Sequence, residues 1–370
     1  MRAFTRRDFL QTGGALVVAF AWRQSGKRGD PPALQEAVAG ARGTSGASSD
    51  PALDQLDSWL AVGADGSITL YSGKVELGTG VETALSQIVA EELDVPIGRV
   101  TVIQGSTGLV PDQGYTAGSR TLQSGGVQVR QAAATARQAL LALAAARLGA
   151  PASALAVRNG TVFAGARSVS YAELTGGRHF ARAVDRAAPL KQPSAYTTVG
   201  RAVPRVELPA KVYGTHVYVH NVRVPGMLHG RVVRPTAIGA TLGAIDDHAA
   251  RAIPGVVDIV HRANFVGVVA MREENAIEAA RALDVTWTPP AMPLPSLHDV
   301  YDAMHTTASR ERVLTSIGNV DAPLADGARQ LQATYFTPYQ SHGSIGPSCA
   351  VADVRDDEAT VWSGTQGSYA

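Results

Sequence analysis

The 370-residue chain predicts an α+β fold, and three stretches carry that expectation. "SWLAVGADGSITLYSGKVEL" alternates apolar and polar residues about an Asp65-Gly66 turn, the pattern of a β-hairpin. Val81, Ala84, Leu85, Ile88, Val89 and Leu93 follow the period of a helix that Pro96 stops. "SGGVQVRQAAATARQALLALAAARLGAP" is a long alanine-rich helix with Gly149 and Pro151 as its stop signals. "RVTVIQG" lies between the two helices and alternates as a strand, so residues 51–150 read as one mixed unit.

Further along, "VRNGTVFA" predicts a short strand pair turning at Asn159-Gly160, whose match to a glycosylation sequon is read as a plain turn. From Val199 to Thr288, "MLHGRVVRP" and "VVDIVHRANFVGVVAM" are β-branched runs, "EENAIEAARAL" is a helix and "DVTWT" a strand. Residues 289–330 begin proline-rich and turn polar, as a surface linker does. Two strands, Cys349 to Val354 and Ala359 to Trp362, follow around an acidic turn.

Composition narrows the function classes. A chain that is 45% hydrophobic and 18% charged has material for two or three domains with real cores. The formal net charge is +1, but the first 28 residues carry six Lys/Arg against Asp8, leaving the remainder at −4 and giving no nucleic-acid-binding surface. Cys349 is the single cysteine, which excludes an internal disulfide and any all-cysteine zinc or iron–sulfur site. The nine histidines read as hydrogen-bonded structural groups, and Cys349 as a buried inert thiol.

The N-terminus reads as an address. "TRRDFLQTGGALVVAFAW" has paired Arg6 and Arg7, then Phe9-Leu10, then an apolar run from Gly13 to Ala21 too short to span a bilayer as a helix. It resembles a twin-arginine signal, a route that exports folded and usually cofactor-loaded cargo, and Ala19-Phe20-Ala21 fits a cleavage site, with retention as a membrane anchor the open alternative. The expected location is the periplasm or the periplasmic face of the inner membrane. Residues 1–28 form this signal and 29–53 a flexible linker.

Two loops stand out. Gly78-Thr79-Gly80 joins a strand to a helix N-terminus, where backbone N–H groups and the helix dipole favour an anion. It is neither a full G-x-G-x-x-G nor a P-loop. "PDQGYTAGSRTLQSGG" crowds Thr116, Ser119, Thr121 and Ser124 with glycines before the second helix. Two such loops suit a phosphorylated ligand cradled from two sides.

"KVELGTGVETALSQIVAEELDVP" followed by "TAGSRTLQSGGVQVRQAA" resembles the molybdopterin-binding part of the xanthine dehydrogenase and aldehyde oxidase family. "VGRAVPRVELPAKVYGTHVYVHNVRVPGMLHGRVVRP" with "IPGVVDIV" resembles that family's α/β hammerhead, and "HGSIGPSCAVADV" with "VWSGTQG" the start of its large cofactor-binding domain. The order of motifs is most similar to the large subunits of isoquinoline oxidoreductase, nicotinate dehydrogenase and bacterial membrane aldehyde dehydrogenases. The resemblance covers roughly residues 55–370 and implies a molybdopterin-binding-like α+β module at 54–198, a hammerhead at 199–288, a linker at 289–330 and the opening of a large molybdopterin-binding domain at 331–370.

It also implies site residues. Gly78, Thr79 and Gly80 stand where the family reads Gly-Gln-Gly, so Thr79 replaces a cofactor-contacting glutamine. Thr116, Ala117, Gly118, Ser119, Arg120 and Thr121 match the segment that holds the pterin dinucleotide, and Gln366 the glutamine facing the apical oxygen of molybdenum. The implied cofactor is molybdopterin, as the cytosine dinucleotide, with molybdenum. The implied reaction is hydroxylation of an N-heterocycle or aldehyde, with electrons leaving through a small iron–sulfur partner that carries 2Fe–2S clusters and onward to a cytochrome c. No protein metal ligands are implied. The family's base is a glutamate in a C-terminal Gly-Glu motif, and no Gly-Glu dipeptide occurs here. The chain is therefore expected to be the front part of a large subunit, inactive by itself. Two alternatives stay open: a non-catalytic exported module that binds or assembles a phosphorylated ligand, and a decayed remnant.

Overall fold

The computed structural model describes residues 17–21 (backbone only), 51–319, 321–327, 329–355 and 358–369. Arg6, Arg7 and nearly all of the 29–53 linker lie outside the described residues. The chain divides into two compact units, Met1–Arg223 with Pro347–Ala370, and Val224–Gly346.

In the first unit, strand β1 (Val17–Ala21) is followed by the antiparallel hairpin of β2 (Leu60–Val62) and β3 (Ile68–Ser72). It turns at Gly66, whose φ of +80° suits a residue without Cβ. Helix α1 (Val81–Leu93) crosses over to β4 (Val100–Gln104), which pairs parallel with β3. Its apolar positions Leu85, Val89 and Leu93 are buried, and Asp94 ends it in the left-handed conformation. A π-turn at Thr121–Gly126 leads into α2 (Val127–Leu148), whose buried face is mostly alanine and lets neighbours approach closely. The meander β5 (Ala156–Arg158), β6 (Thr161–Ala164) and β7 (Arg167–Ser170) follows, with a capping box of Ser170 and Glu173 opening α3 (Tyr171–Thr175). One core joins these elements, with Trp59, Ile68, Leu70, Leu85, Val89, Leu140 and Tyr171 at its centre.

Residues 199–223, expected to open the second domain, group with this first unit. Side chains of α1, Gln87 bonding the Thr198 and Arg201 carbonyls among them, explain why. The Glu91 carboxylate accepts from the amides of Thr197, Thr198 and Val199 at 2.6–2.9 Å and from Lys191 Nζ at 3.1 Å. Thr83 accepts from the Val206 amide and donates to Glu207, just before α4 (Leu208–Val212). Buried carboxylates need such partners, and here they come from distant chain.

The second unit holds β8 (His229–Val233), β9 (Thr241–Asp246), α5 (His248–Arg251), β10 (Val256–Arg262), β11 (Phe265–Ala270), α6 (Glu273–Ala282) and β12 (Asp284–Thr288). Strands run in the order β10-β11-β8, with a separate β12-β9 pair. Ala250, Ile259, Val266, Val268, Ala279 and Leu283 form its core. β9 and α5 go beyond what the sequence patterns predict. After them, α7 (Val300–Thr306) and α8 (Asp321–Ala325) interrupt a stretch that leaves Ile317, Leu331, Tyr335 and Ile345 exposed.

Pro347 returns the chain to the first unit, where β13 (Ala350–Arg355) pairs antiparallel with β14 (Glu358–Ser363). The backbone of β1, from the segment read as an export signal, lies antiparallel on the other edge of β14. Among the described residues no helix is long and apolar enough to cross a membrane.

Candidate functional site

The parallel pair β3–β4 sets the location. Ser72 and Gln104 are in register at the carboxyl ends of the two strands, the edge where ligands of α/β sheets collect. The residues that follow each strand lead into the two glycine-rich loops.

The first loop is already satisfied from within. Glu76 stands just ahead of it, and its carboxylate accepts from the amides of Thr79 (2.5 Å), Gly80 (2.9 Å) and Glu82 (3.0 Å). The anion at the N-terminus of α1 is therefore a side chain of the protein itself. Gly78 and Gly80 have φ of +88° and +80°, which explains both glycines by the turn alone. Thr79 is exposed. Behind it, Arg205 pairs with Glu207 and lies 4.0 Å from Glu76. Burial first, then the charges of Glu207 and Glu76, push the neighbouring Glu82 up to about 7, with Lys211 opposing.

The second loop is held at its base and open at its tip. Thr116 is buried; its amide donates to the Gln366 carbonyl at 2.8 Å, and the Gln366 side-chain amide donates back to the Thr116 carbonyl at 3.1 Å. The Thr116 hydroxyl accepts from the Val75 amide at 3.0 Å. Gln366 and the Thr116 segment, 250 residues apart, are thus joined by reciprocal bonds. Ala117, Gly118 and Ser119 are exposed, and their amides reach no protein acceptor among the described residues. Gly118 and Ser119 both adopt left-handed conformations, φ +60° and +59°. Arg120 closes the turn onto the Ala117 carbonyl, and buried Thr121 starts the π-turn, a feature that recurs at functional sites.

Sequence reasoning missed the supports. Gln113 accepts from Ser72 Oγ (2.8 Å) and the Gly73 amide (3.0 Å), and Lys74 donates to the Tyr115 (2.6 Å) and Gly114 (3.3 Å) carbonyls. Their signal is present in "GKVE" and "PDQG": charged and amide residues flanking glycine turns at strand ends. Tyr369 donates to the Thr107 carbonyl at 2.6 Å and to that of Val110, fixing the chain just after Gln366. Nearby in sequence, Ser368 Oγ is a buried polar atom without a hydrogen-bond partner among the described residues, and Gln104 Nε2, at the end of β4, is another. Such orphans mark a place where a polar ligand or water completes the bonding.

Among the described residues no cluster of His, Cys, Asp or Glu is arranged to hold a metal. His216 and His220 are four apart, a spacing the sequence reading overlooked, but they are not on an α-helix: His216 stacks edge-on with Tyr218 and His220 bonds the Pro347 carbonyl. Cys349 is half-buried and free, rather than fully buried. A cavity of about 220 Å³ lies between α1, the π-turn and the 196–199 segment, walled by Ile88, Leu122, Val127 and Tyr196. Its carboxylates, Glu91 and Glu92, are committed to amides and to Lys191, Arg130 and Arg137, which makes it a packing seam.

Residues 32–226, just over half of the chain, match the family model described as molybdopterin cofactor-binding domain. The chain belongs to that family, as a partial-length member of the molybdopterin-binding subunits of the xanthine dehydrogenase group. It is similar to a nicotinate dehydrogenase subunit of Pseudomonas putida, 44% identical over 85% of this chain and 27% of the relative. It is also similar to the β-subunit of isoquinoline 1-oxidoreductase of Brevundimonas diminuta, 34% identical over 62% of this chain and 35% of that one. Membrane-bound aldehyde dehydrogenase (pyrroloquinoline-quinone) of Gluconacetobacter polyoxogenes matches at 28% over 83% of this chain and 42% of its own length. The chain thus spans between about a quarter and two fifths of these relatives.

Proposed function

We propose that this chain forms the molybdopterin-holding wall of an exported molybdenum hydroxylase acting on an N-heterocycle or an aldehyde. The observation that carries the proposal is the second loop: consecutive exposed amides at Ala117, Gly118 and Ser119 that meet no protein acceptor among the described residues, locked at their base to Gln366. Amides of this kind suit the phosphate groups of a pterin dinucleotide. Ser368 Oγ and Gln104 Nε2, buried and without a partner among the described residues, fit a polar ligand in the same unit. When bound, the molybdenum supplies the two-electron oxidation of the substrate carbon. This chain's own residues bind and orient: Thr116 fixes the loop, Ala117 to Ser119 donate to phosphate, and Arg120 adds positive charge at its exit. Gln366 carries its side chain at the base of that loop.

The likeness to relatives named for nicotinate and isoquinoline favours an N-heterocyclic substrate. With Cys349 as its single cysteine this stretch of chain offers no cluster ligand set of its own, which is consistent with electrons leaving through an iron–sulfur partner and a cytochrome c beyond it. Arg6-Arg7 with Phe9-Leu10 favours the periplasmic side, and residues 199–288 are read as the hammerhead of the group, their 224–288 part lying in the second unit.

The test is to co-produce the chain with a polypeptide matching the remainder of its relatives and with the iron–sulfur partner, then measure molybdenum and oxidised-pterin fluorescence per complex. The reading expects about one pterin and one molybdenum per chain, in line with a single loop site. An assembled complex free of pterin overturns it.

A further inference from the structure

Lys74 carries a charge in a place where charge is costly. It is 3% exposed, yet among the described residues no carboxylate pairs with it. Its ammonium donates to the carbonyls of Tyr115 at 2.6 Å and Gly114 at 3.3 Å, the two residues directly before Thr116. Buried ammonium groups are kept only where they make bonds that neutral groups make less well.

The neighbouring bonds all tie the same two segments. Gly73 donates to Gln113, Lys74 reaches Gly114 and Tyr115, and Val75 donates to Thr116, so residues 73–75 and 113–116 are joined at every step. The stem of Lys74 has room because position 125 is glycine: a Cβ there would lie 3.4 Å from Lys74 Cγ and 3.2 Å from Gln113 Nε2. Gly125 belongs to the π-turn, so this turn, the Gly114–Thr116 segment and the end of β3 meet on one lysine side chain.

We infer that Lys74 is a positioning residue of the cofactor loop: by fixing the Gly114 and Tyr115 carbonyls it sets the orientation in which Thr116 meets Gln366 and in which Ala117 to Ser119 present their amides. This rests on the reading of that loop as the phosphate-holding wall. Burial, and then the charge of Arg120, hold the ammonium below the usual lysine range, with Asp112 pulling the other way. Bringing anionic phosphate to the loop offsets both, so the lysine's charge and the ligand's support one another.

The experiment compares Lys74→Met with the unchanged chain by amide hydrogen exchange and, in the assembled complex, by pterin content. Lys74→Met keeps the apolar stem and removes the donor. The inference expects exchange at the Thr116 amide about tenfold or more faster, with the core amide of Val89 unchanged, and pterin content reduced several-fold. Unchanged exchange at Thr116 in a folded variant overturns the positioning role. Faster exchange at Thr116 with full pterin content overturns the reading of the loop as the phosphate wall and leaves Lys74 a tether of structure alone. If the assembled complex does not form with Lys74→Met, Gly125→Val provides the second arm. Displacing the stem without touching Lys74 should then speed exchange at Thr116 in the same way, and its failure to do so counts against the inference.

Discussion

The two glycine-rich loops of the first unit look alike as sequence and differ in what their amides do. Both follow a strand of the β3–β4 pair, both mix glycine with hydroxyl side chains, and both open a helix. At Gly78-Thr79-Gly80 the donors are spent on Glu76, so the positive end of α1 is neutralised before any ligand arrives. At Thr116–Thr121 the base is pinned by Gln366, Val75 and Lys74, and the exposed tip amides meet no protein acceptor among the described residues. A helix N-terminus is an anion site only when no nearer anion of the chain has taken it. Loop composition does not decide that; the acid four residues before Gly80 does.

The largest expected effect breaks the open loop. Gly118 already has a φ of +60°, which aspartate tolerates better than most side chains, so Gly118→Asp should fold while placing a carboxylate among the free amides. Pterin and molybdenum content of the assembled complex should fall about tenfold or more, in keeping with a charge repulsion of more than about 1.4 kcal/mol. Retention at the normal level would remove this loop from the site.

Next comes the closed loop's own anion. Glu76→Ala leaves three N–H groups at the start of α1 without their acceptor, and should lower stability by about 1–2 kcal/mol, the range of a lost helix cap. Urea unfolding measures this, and an unchanged midpoint would show that water serves those amides equally well.

Glu82 gives a pH-dependent counterpart of similar or smaller size. Its folded value of about 7 lies above the ordinary 4.5, so between these the folded state keeps a proton that the unfolded state has released. The stability it contributes is complete below pH 4.5 and lost as pH rises through 7. Glu82→Gln should flatten that decline and gain roughly 1–2 kcal/mol at about pH 8, less than full burial would give because the side chain is partly exposed. A decline identical in both proteins would assign the effect elsewhere.

The smallest effect is expected at Thr79, which is exposed and whose amide is engaged. Thr79→Asp and Thr79→Gln should each change pterin content less than about twofold, well inside roughly 0.5 kcal/mol. A large loss in Thr79→Asp would reopen the first loop as a contact.

What is legible in the sequence is local. The Asp65-Gly66 hairpin, α1 and α2 with Gly149 as its cap follow from periodicity and turn chemistry, and each lies where those signals put it. β9, "TLGAID", escapes because glycine and aspartate weaken its alternation, and its place depends on pairing with β12, which lies far along the chain. The assignment of 199–223 to the first unit rests on Glu91 and Thr83 reaching far forward along the chain. No local pattern encodes such contacts. The meeting of Gln366 with Thr116 is foreshadowed only through family resemblance. The internal capture of the first loop by Glu76 is written in "VELGTG", where the glycines alone suggest a ligand motif.

Amide hydrogen exchange at single-residue resolution, on the assembled complex with and without its pterin, tests the contrast between the loops most directly. The account predicts that loading the cofactor slows exchange at Ala117, Gly118 and Ser119 by about tenfold or more and leaves Thr79 and Gly80 unchanged, since Glu76 holds them in both states. Protection that appears at Thr79 and Gly80 while Ala117 to Ser119 stay as exposed as before would contradict it.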